Sequence, residues 1–429
     1  MRKNASNNNT NKNARKKIKK PNGVLYFLVY IFIYPVLKIF FRLKVDRKNY
    51  DPPKGAFIVL SNHVSFMDFL LTMLTIYPRR VNAVAAQKFF LYSPLNKLMP
   101  VMGAIPKNLF DPDIRSIIGI KSVLKSGGRI LLFPEGRCTV HGPYMGMHKT
   151  TGNLIKSLGV PVITCYIEGS YICMPFWRKG VKFGKERVTL ANLLTAEDTQ
   201  FMSADEINLA IDRSLSGMNV SPMKKPFRTF KSKQLLEGLE NIIYYCPKCG
   251  SEFTLATKGN NIYCTNCGNS AFMNRYAKLI PAGNGNIIPE TVDKWYKTQA
   301  MYEMQFLKED MEPIKIKVTV RMPLKDDKKG QGIQPCGNGI LWLDPKGWHY
   351  DGKLTNNDVS LFFPIDTVPA MPFDPNDNFQ IYSDGKFYSF TPEDARSCAK
   401  YATIGECAYW RFASPVQMTP GYDSGFCEI

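Results

Sequence analysis

His63 and Asp68 stand five residues apart in Asn62-His63-Val64-Ser65-Phe66-Met67-Asp68. The segment follows a short apolar run, 56–60, and opens a helix-like stretch, 66–76. A strand that runs out there would leave the imidazole on the rim of a sheet, with the carboxylate in the first helical turn and close enough to bond it. Such a carboxylate fixes the imidazole tautomer and leaves the second ring nitrogen free to take a proton. The chemistry is that of a general base waiting for a hydroxyl or an amine. Taken alone the spacing is common, and an Asp capping a helix beside a surface His is then the better explanation.

A second constellation is more specific. Cys246-Pro-Lys-Cys249 and Cys264-Thr-Asn-Cys267 are separated by 14 residues, and each is followed by a glycine, Gly250 and Gly268. Each pair with its glycine makes a knuckle whose backbone N–H groups can bond thiolate sulfur, and two knuckles close one tetrahedral four-cysteine zinc site. A redox pair would explain one Cys-x-x-Cys but not two matched ones. With no ligand position left open, this zinc is expected to be structural, in a zinc ribbon, and no catalytic cofactor is expected.

The whole chain sets the bounds for both sites. Its 429 residues predict at least two cores, and 45% apolar, 12% aromatic and 21% charged residues exclude a wholly disordered chain. Apolar stretches are too few for a polytopic membrane protein. Eleven cysteines, an odd number, without an evident cleavable signal favour a reducing compartment. The net charge of +20 points to a polyanionic partner, but eleven Lys or Arg precede the first acid, Asp46. The basicity therefore belongs to one end. Residues 1–21, with six Asn and eight Lys or Arg, read as a solvated basic arm. Residues 22–45 read as a membrane-associated helix, since 24–37 carry no charge. Tyr26, Tyr30, Tyr34, Lys38 and Arg42 recur every fourth residue, a slanting polar stripe expected of a helix lying in a bilayer interface. Arm and helix together predict an anionic membrane as partner, on its cytoplasmic face. Nucleic acid is not expected, because the arm adjoins an apolar anchor and 240–290 is not strongly basic.

Between 46 and 215, short apolar runs at 56–60, 81–86, 129–133 and 160–167 alternate with helical stretches such as 66–76 and 114–125. That predicts an α/β core with parallel pairing. Residues 216–240 read as a linker, 241–283 as the ribbon, and 284–429 as a helix followed by a mainly-β domain. In that last region 291–310 and 392–412 are helical by pattern, and turns at 344–347 and 383–386 mark two hairpins. Strands closed by one C-terminal helix suggest a pleckstrin-homology-like barrel, an analogy of fold alone.

The order of short motifs in the core narrows the function. After Asn62–Asp68 come Lys88, then Gly103-Ala104-Ile105-Pro106-Lys107, then Phe133-Pro134-Glu135-Gly136-Arg137, then Gly159-Val160-Pro161. Four blocks in this order and spacing resemble the glycerolipid acyltransferases, over about residues 25–215. The resemblance implies that His63 is the general base and Asp68 its support. It implies acyl transfer from acyl-CoA or acyl-carrier protein to a lysophosphatidic acid-like acceptor. It further implies that Gly103, Lys107, Glu135, Gly136 and Arg137 line the phosphate site and that Pro161 supports the acyl site. Two departures stand out: Lys107 replaces the arginine usual in the second block, and Arg137 follows Gly136 without an intervening Ser or Thr. A lysine lacks the bidentate fork, so another lysophospholipid or amphipathic alcohol stays open as the acceptor. Cys138 is not needed as a nucleophile if His63 activates the acceptor. His141 and His148 lack metal-ligand spacing, and Lys149 adds positive potential. The competing reading is an adaptor on a degenerate acyltransferase core, working through its ribbon and β domain.

Overall fold

The computed structural model describes residues 18–413 apart from 92–93, 110–112, 179, 218–229, 231, 327–329 and 384. Most of the expected basic arm (1–17) and most of the expected linker therefore lie outside the described residues.

Seven strands form the first sheet: β1 (Lys44–Asn49), β2 (Phe57–Ser61), β3 (Asn82–Ala86), β4 (Ile105–Lys107), β5 (Arg129–Leu132), β6 (Val162–Glu168) and β7 (Arg187–Leu194). Their order is β1-β7-β6-β2-β5-β3-β4, and every pairing is parallel except β6 with β7. β2 is central, and all five of its residues are buried, which is why its sequence is an unbroken apolar run. Alternation still decides which face each side chain meets. Ile58 and Leu60 join a cluster with Ile120, Val123, Ile155, Ile207 and Ile211 from helices Ile114–Lys125, Thr150–Leu158 and Ala204–Leu215. Phe57 and Val59 join the opposite cluster, with Leu71 and Leu74 from helix Asp68–Thr75.

Helix Gly23–Phe40 packs on that second face, and its orientation corrects the expectation from the tyrosine stripe. The three tyrosines turn inward, while Lys38 and Arg42 stay exposed. Tyr26 is buried, with its hydroxyl 3.5 Å from the Val81 amide, and Tyr30 stacks on Tyr77 with centroids 4.0 Å apart. A tyrosine carries a large apolar body and one polar tip, so it suits a semi-polar contact with protein better than open solvent. The exposed side is instead apolar: Val24, Phe27, Leu28, Ile31, Phe32, Val36 and Ile39, with Ile39 81% exposed. At 18 residues the helix is long and apolar enough to cross a membrane.

The four-cysteine region is an antiparallel sheet of Leu255–Lys258, Asn261–Cys264, Ser270–Met273 and Leu279–Pro281. It is not a separate body, because Tyr244, Leu255, Ile262 and Met273 belong to the cluster that holds Phe57 and Val59. Leu235, Leu236 and Leu239, in the stretch read from composition as linker, are buried in the same cluster. Helix Val292–Met304 clamps the region: Trp295 Nε1 donates to the Tyr245 carbonyl at 2.9 Å, and Gln299 bonds the backbone of both Ile242 and Tyr244.

A seven-stranded antiparallel sheet follows: Ile314–Asp326, Gly330–Asp344, Gly347–Leu354, Asn357–Pro364, Phe373–Asp374, Asn378–Ser383 and Lys386–Pro392. The first four form a meander, and the first strand also pairs with the last. Both expected hairpins are present, pairing Asp344 with Gly347 and Ser383 with Lys386. Helix Cys398–Phe412 closes the region, its small residues Ala399, Ala402, Gly405 and Ala408 packed inside the molecule.

Candidate active site

In a parallel sheet, reactive side chains collect where the strands end, because the connections leave there. β2 ends at Ser61, and Asn62 secures the turn that follows. Its side chain donates to the Ile167 carbonyl at 2.9 Å and accepts from the Ile167 amide at 2.8 Å. His63 comes next, its ring stacked on Phe133 with centroids 4.3 Å apart.

Asp68, wholly buried, organises the loop. Its Oδ2 accepts from the amides of Val64 (2.5 Å) and Ser65 (2.7 Å) and lies 3.0 Å from His63 Nδ1. Its Oδ1 accepts the Ser65 hydroxyl at 2.8 Å. With Nδ1 turned to the carboxylate, Nε2 is the nitrogen left to face outward, and the His63 side chain keeps 23% of its surface open. The arrangement can take a proton from a bound hydroxyl and hold the resulting imidazolium beside a buried anion.

The loop after β5 braces this one from the next strand. Glu135 accepts from the His63 amide at 2.6 Å and from the Met145 amide at 3.0 Å, so both its oxygens position backbone. Burial pushes the Glu135 carboxyl up to about 8, against the pull of those two amides. The Thr139 amide donates to the His63 carbonyl at 2.8 Å. Gly136, between them, holds φ at +77°, a turn that a side chain would strain. Cys138 also lies in this loop. Burial first, and then the Asp68 and Glu135 charges, drive its thiol far above the usual range, which keeps it protonated and a poor nucleophile.

Strand register locates the remaining candidate residues. Lys107 pairs with Ala86 at the reactive edge, but β4 lies three strands from β2, about 14 Å at the usual spacing. Gly103 and Pro161 lie towards the opposite edge. The Gly103 carbonyl accepts from Asn82 at the start of β3, and the Pro161 carbonyl accepts from Ile58 at the start of β2. One edge thus holds His63, Asp68, Glu135, Gly136 and Arg137, with Lys107 farther along it and Gly103 and Pro161 apart. His148 Nδ1 accepts from the Thr150 amide at 3.2 Å, and the His141 ring lies tilted beside Tyr296 with centroids 5.2 Å apart. Burial pushes His141 down to about 4.

Residues 42–168, which contain this whole edge, match the family model described as Acyltransferase. The α/β core carries an acyltransferase-family domain. A curated relative, the chloroplastic 1-acyl-sn-glycerol-3-phosphate acyltransferase BAT2 of Brassica napus, is 25% identical over 153 residues. That match covers 35% of this chain and 43% of the relative, so the chain spans less than half of that protein's length. Among solved structures, the 1-acyl-sn-glycerophosphate (LPA) acyltransferase PlsC of Thermotoga maritima is 18% identical, with a TM-score of 0.38, over 47% of this chain and 98% of that one.

Three contributors to the acyltransferase edge are not visible in the motif. Phe133 gives the imidazole a flat support, and Ser65 bonds Asp68 twice. The third is Glu406, 269 residues from Arg137, whose carboxylate meets that guanidinium at 2.6 Å. The first two lie beside the motif and could have been proposed from the need to hold a buried carboxylate. No local signal marks the third.

The four cysteines converge elsewhere. Their sulfurs all lie within 4.8 Å of one another, with Cys246–Cys267 and Cys249–Cys264 at 3.8 Å. Amides of Lys248 and Cys249 bond the Cys246 sulfur, and those of Asn266 and Cys267 bond the Cys264 sulfur. Gly250 and Gly268 take left-handed φ of +73° and +71°, as a knuckle turn requires.

Proposed function

We propose that the protein is a membrane-associated O-acyltransferase that moves a fatty acyl group from acyl-CoA or acyl-carrier protein to a lysophosphatidic acid-like acceptor. The observation that carries this reading is the His63–Asp68 contact at the strand ends, inside the stretch that matches the Acyltransferase family model. His63 Nε2 takes the proton of the acceptor hydroxyl as its oxygen attacks the thioester carbonyl. The carbon–sulfur bond breaks, and the imidazolium returns the proton to the departing thiolate. Asp68 holds the ring and offsets its charge throughout. Lys107, farther along the edge, supplies positive potential for an anionic head group, and Arg137 does so only where that group displaces its buried partner Glu406. Glu135 and Gly136 act here as positioning residues, and no direct contact with acceptor is assigned to Gly103 or Pro161.

The exposed apolar side of helix Gly23–Phe40 supports attachment to a bilayer, since seven large apolar side chains on one helix do not otherwise face water. A structural zinc ion held by Cys246, Cys249, Cys264 and Cys267 is supported by the sulfur spacing. Four ligands at about 2.3 Å in a tetrahedron stand about 3.8 Å apart, which the two closest sulfur pairs match. The seven strands followed by one C-terminal helix match the element count of a pleckstrin-homology-like fold, and that count supports the reading for residues 284–429.

The test is acyl transfer by the purified full chain, across a panel of lysolipids with both donor types, alongside His63→Ala. Transfer to at least one acceptor, lost in the variant while its melting curve persists, is the expected result. Equal rates with and without the imidazole would end the proposal.

A further inference from the structure

The C-terminal domain meets the acyltransferase edge through its cations. Arg137 is 9% exposed in its side chain, and Glu406 is 5% exposed. Nη1 contacts Oε1 at 2.6 Å and Nη2 contacts Oε2 at 2.7 Å, a two-pronged carboxylate contact, with Met145 Sδ a further 3.7 Å neighbour of Nη2. Lys88, which follows β3 at the same edge, donates to Gln380 Oε1 at 3.2 Å, and Gln380 lies on strand Asn378–Ser383. Both cations therefore bond side chains from the far end of the chain.

Packing fixes Glu406 in this position. Gly405 sits so close to Met371 that an added Cβ would run into its sulfur. Cys407 bonds the Ala300 carbonyl at 3.6 Å, and Thr403 bonds Tyr296 at 3.1 Å. The carboxylate thus comes from a rigid, buried helix. Two oxygens held in one plane offer a guanidinium the same pair of acceptors that a phosphate offers.

We propose that Glu406 is a specificity-determining residue for the acyl acceptor. It occupies on Arg137 the place that an anionic head group would take. A phosphomonoester must displace a buried carboxylate, whereas an uncharged head meets an already neutralised pair. This rests on the acyl-transfer reading above.

The experiment compares full-length wild type with Glu406→Gln on lysophosphatidic acid and on a monoacylglycerol of the same chain length, at saturating acyl-CoA. The ratio of kcat/KM for the charged over the uncharged acceptor should rise about tenfold or more in Glu406→Gln, through KM for the charged one. A ratio within twofold of wild type overturns the proposal, as a purely structural ion pair would change both acceptors alike. If Glu406→Gln does not fold, the paired Arg137→Met/Glu406→Met variant replaces the ion pair by apolar side chains, a change that buried pairs often tolerate. Its ratio should fall about tenfold below wild type, and an unaltered ratio overturns the proposal. If no protein turns over either acceptor, the acyl-transfer reading is what fails. Calorimetric binding of glycerol 3-phosphate then decides: about tenfold tighter in Glu406→Gln supports the assignment, and equal affinity overturns it.

Discussion

Asp68→Asn isolates the electrostatic part of the proposed mechanism, because the substitution keeps the shape of the side chain. The asparagine oxygen can still accept from the Val64 and Ser65 amides, and the Ser65 hydroxyl can reverse to accept from the new amide group. Downgrading charged hydrogen bonds to neutral ones costs about 1 kcal/mol each, so folding should survive with a reduced melting temperature. The rate should suffer more. In the transition state His63 becomes cationic with its Nδ1 only 3.0 Å from Asp68 Oδ2. Two unit charges with centres about 4 Å apart attract by about 4 kcal/mol at an effective dielectric near 20. At about 1.4 kcal/mol per tenfold, removing the anion should lower kcat by about a thousandfold, with KM within about threefold. The assay is steady-state acyl transfer on the best acceptor found, with circular dichroism to check the fold. A folded Asp68→Asn protein whose kcat stays within tenfold of wild type would refute the claim that the buried carboxylate stabilises the imidazolium.

Four further outcomes follow from other parts of the structure. Phe32→Asp/Ile39→Asp, on the exposed side of helix Gly23–Phe40, should release the protein from anionic vesicles in flotation while leaving its melting temperature within a few degrees. Tyr26→Ala, on the buried side, should instead destabilise the fold by about 3–5 kcal/mol. Metal chelation should redshift Trp295 emission, because that indole bonds the carbonyl of Tyr245, next to Cys246. An unchanged spectrum after metal removal would count against a structural ion. Finally, burial pushes Glu186 up to about 8, so the folded state favours its protonated form. That contribution to stability is complete below the ordinary carboxyl range near 4.5 and is lost as pH rises through about 8. Glu186→Gln should therefore lose less stability than wild type between pH 5 and 8, and parallel melting curves would contradict the assignment.

How far these features could be read beforehand depends on the range of the interaction that creates them. The His63 loop was legible because β2 is an unbroken apolar run and Asp68 bonds groups three to five residues away. The two hairpins were legible for the same local reason, each turn carrying its own glycine. The cysteine knuckles are local pairs, and only their meeting is long-range. The tyrosine stripe marks a face of helix Gly23–Phe40, but periodicity gives a face and not the neighbour that covers it. Tyr77 and Val81 supply that neighbour. The positions assigned to Gly103 and Pro161 depend on strand register, which sets which end of each strand is reactive and which a linear motif does not contain.

The C-terminal domain is the clearest case of the second kind. Read as an appendage, it would leave Arg137 and Lys88 at an open rim, and removing it would be expected to spare the core. The contacts argue otherwise. Arg137 lies in the loop that braces His63 through Glu135 and Thr139, and its guanidinium is buried against Glu406. Removing residues beyond 283 would strip that carboxylate away and also unseat Trp295 and Gln299, which secure the cysteine region to the same apolar cluster. A buried guanidinium that loses its partner costs about 3–5 kcal/mol, much of a domain's net stability. The acyltransferase edge and the seven-stranded domain are therefore one cooperative unit, and the charge balance at Arg137 couples the two.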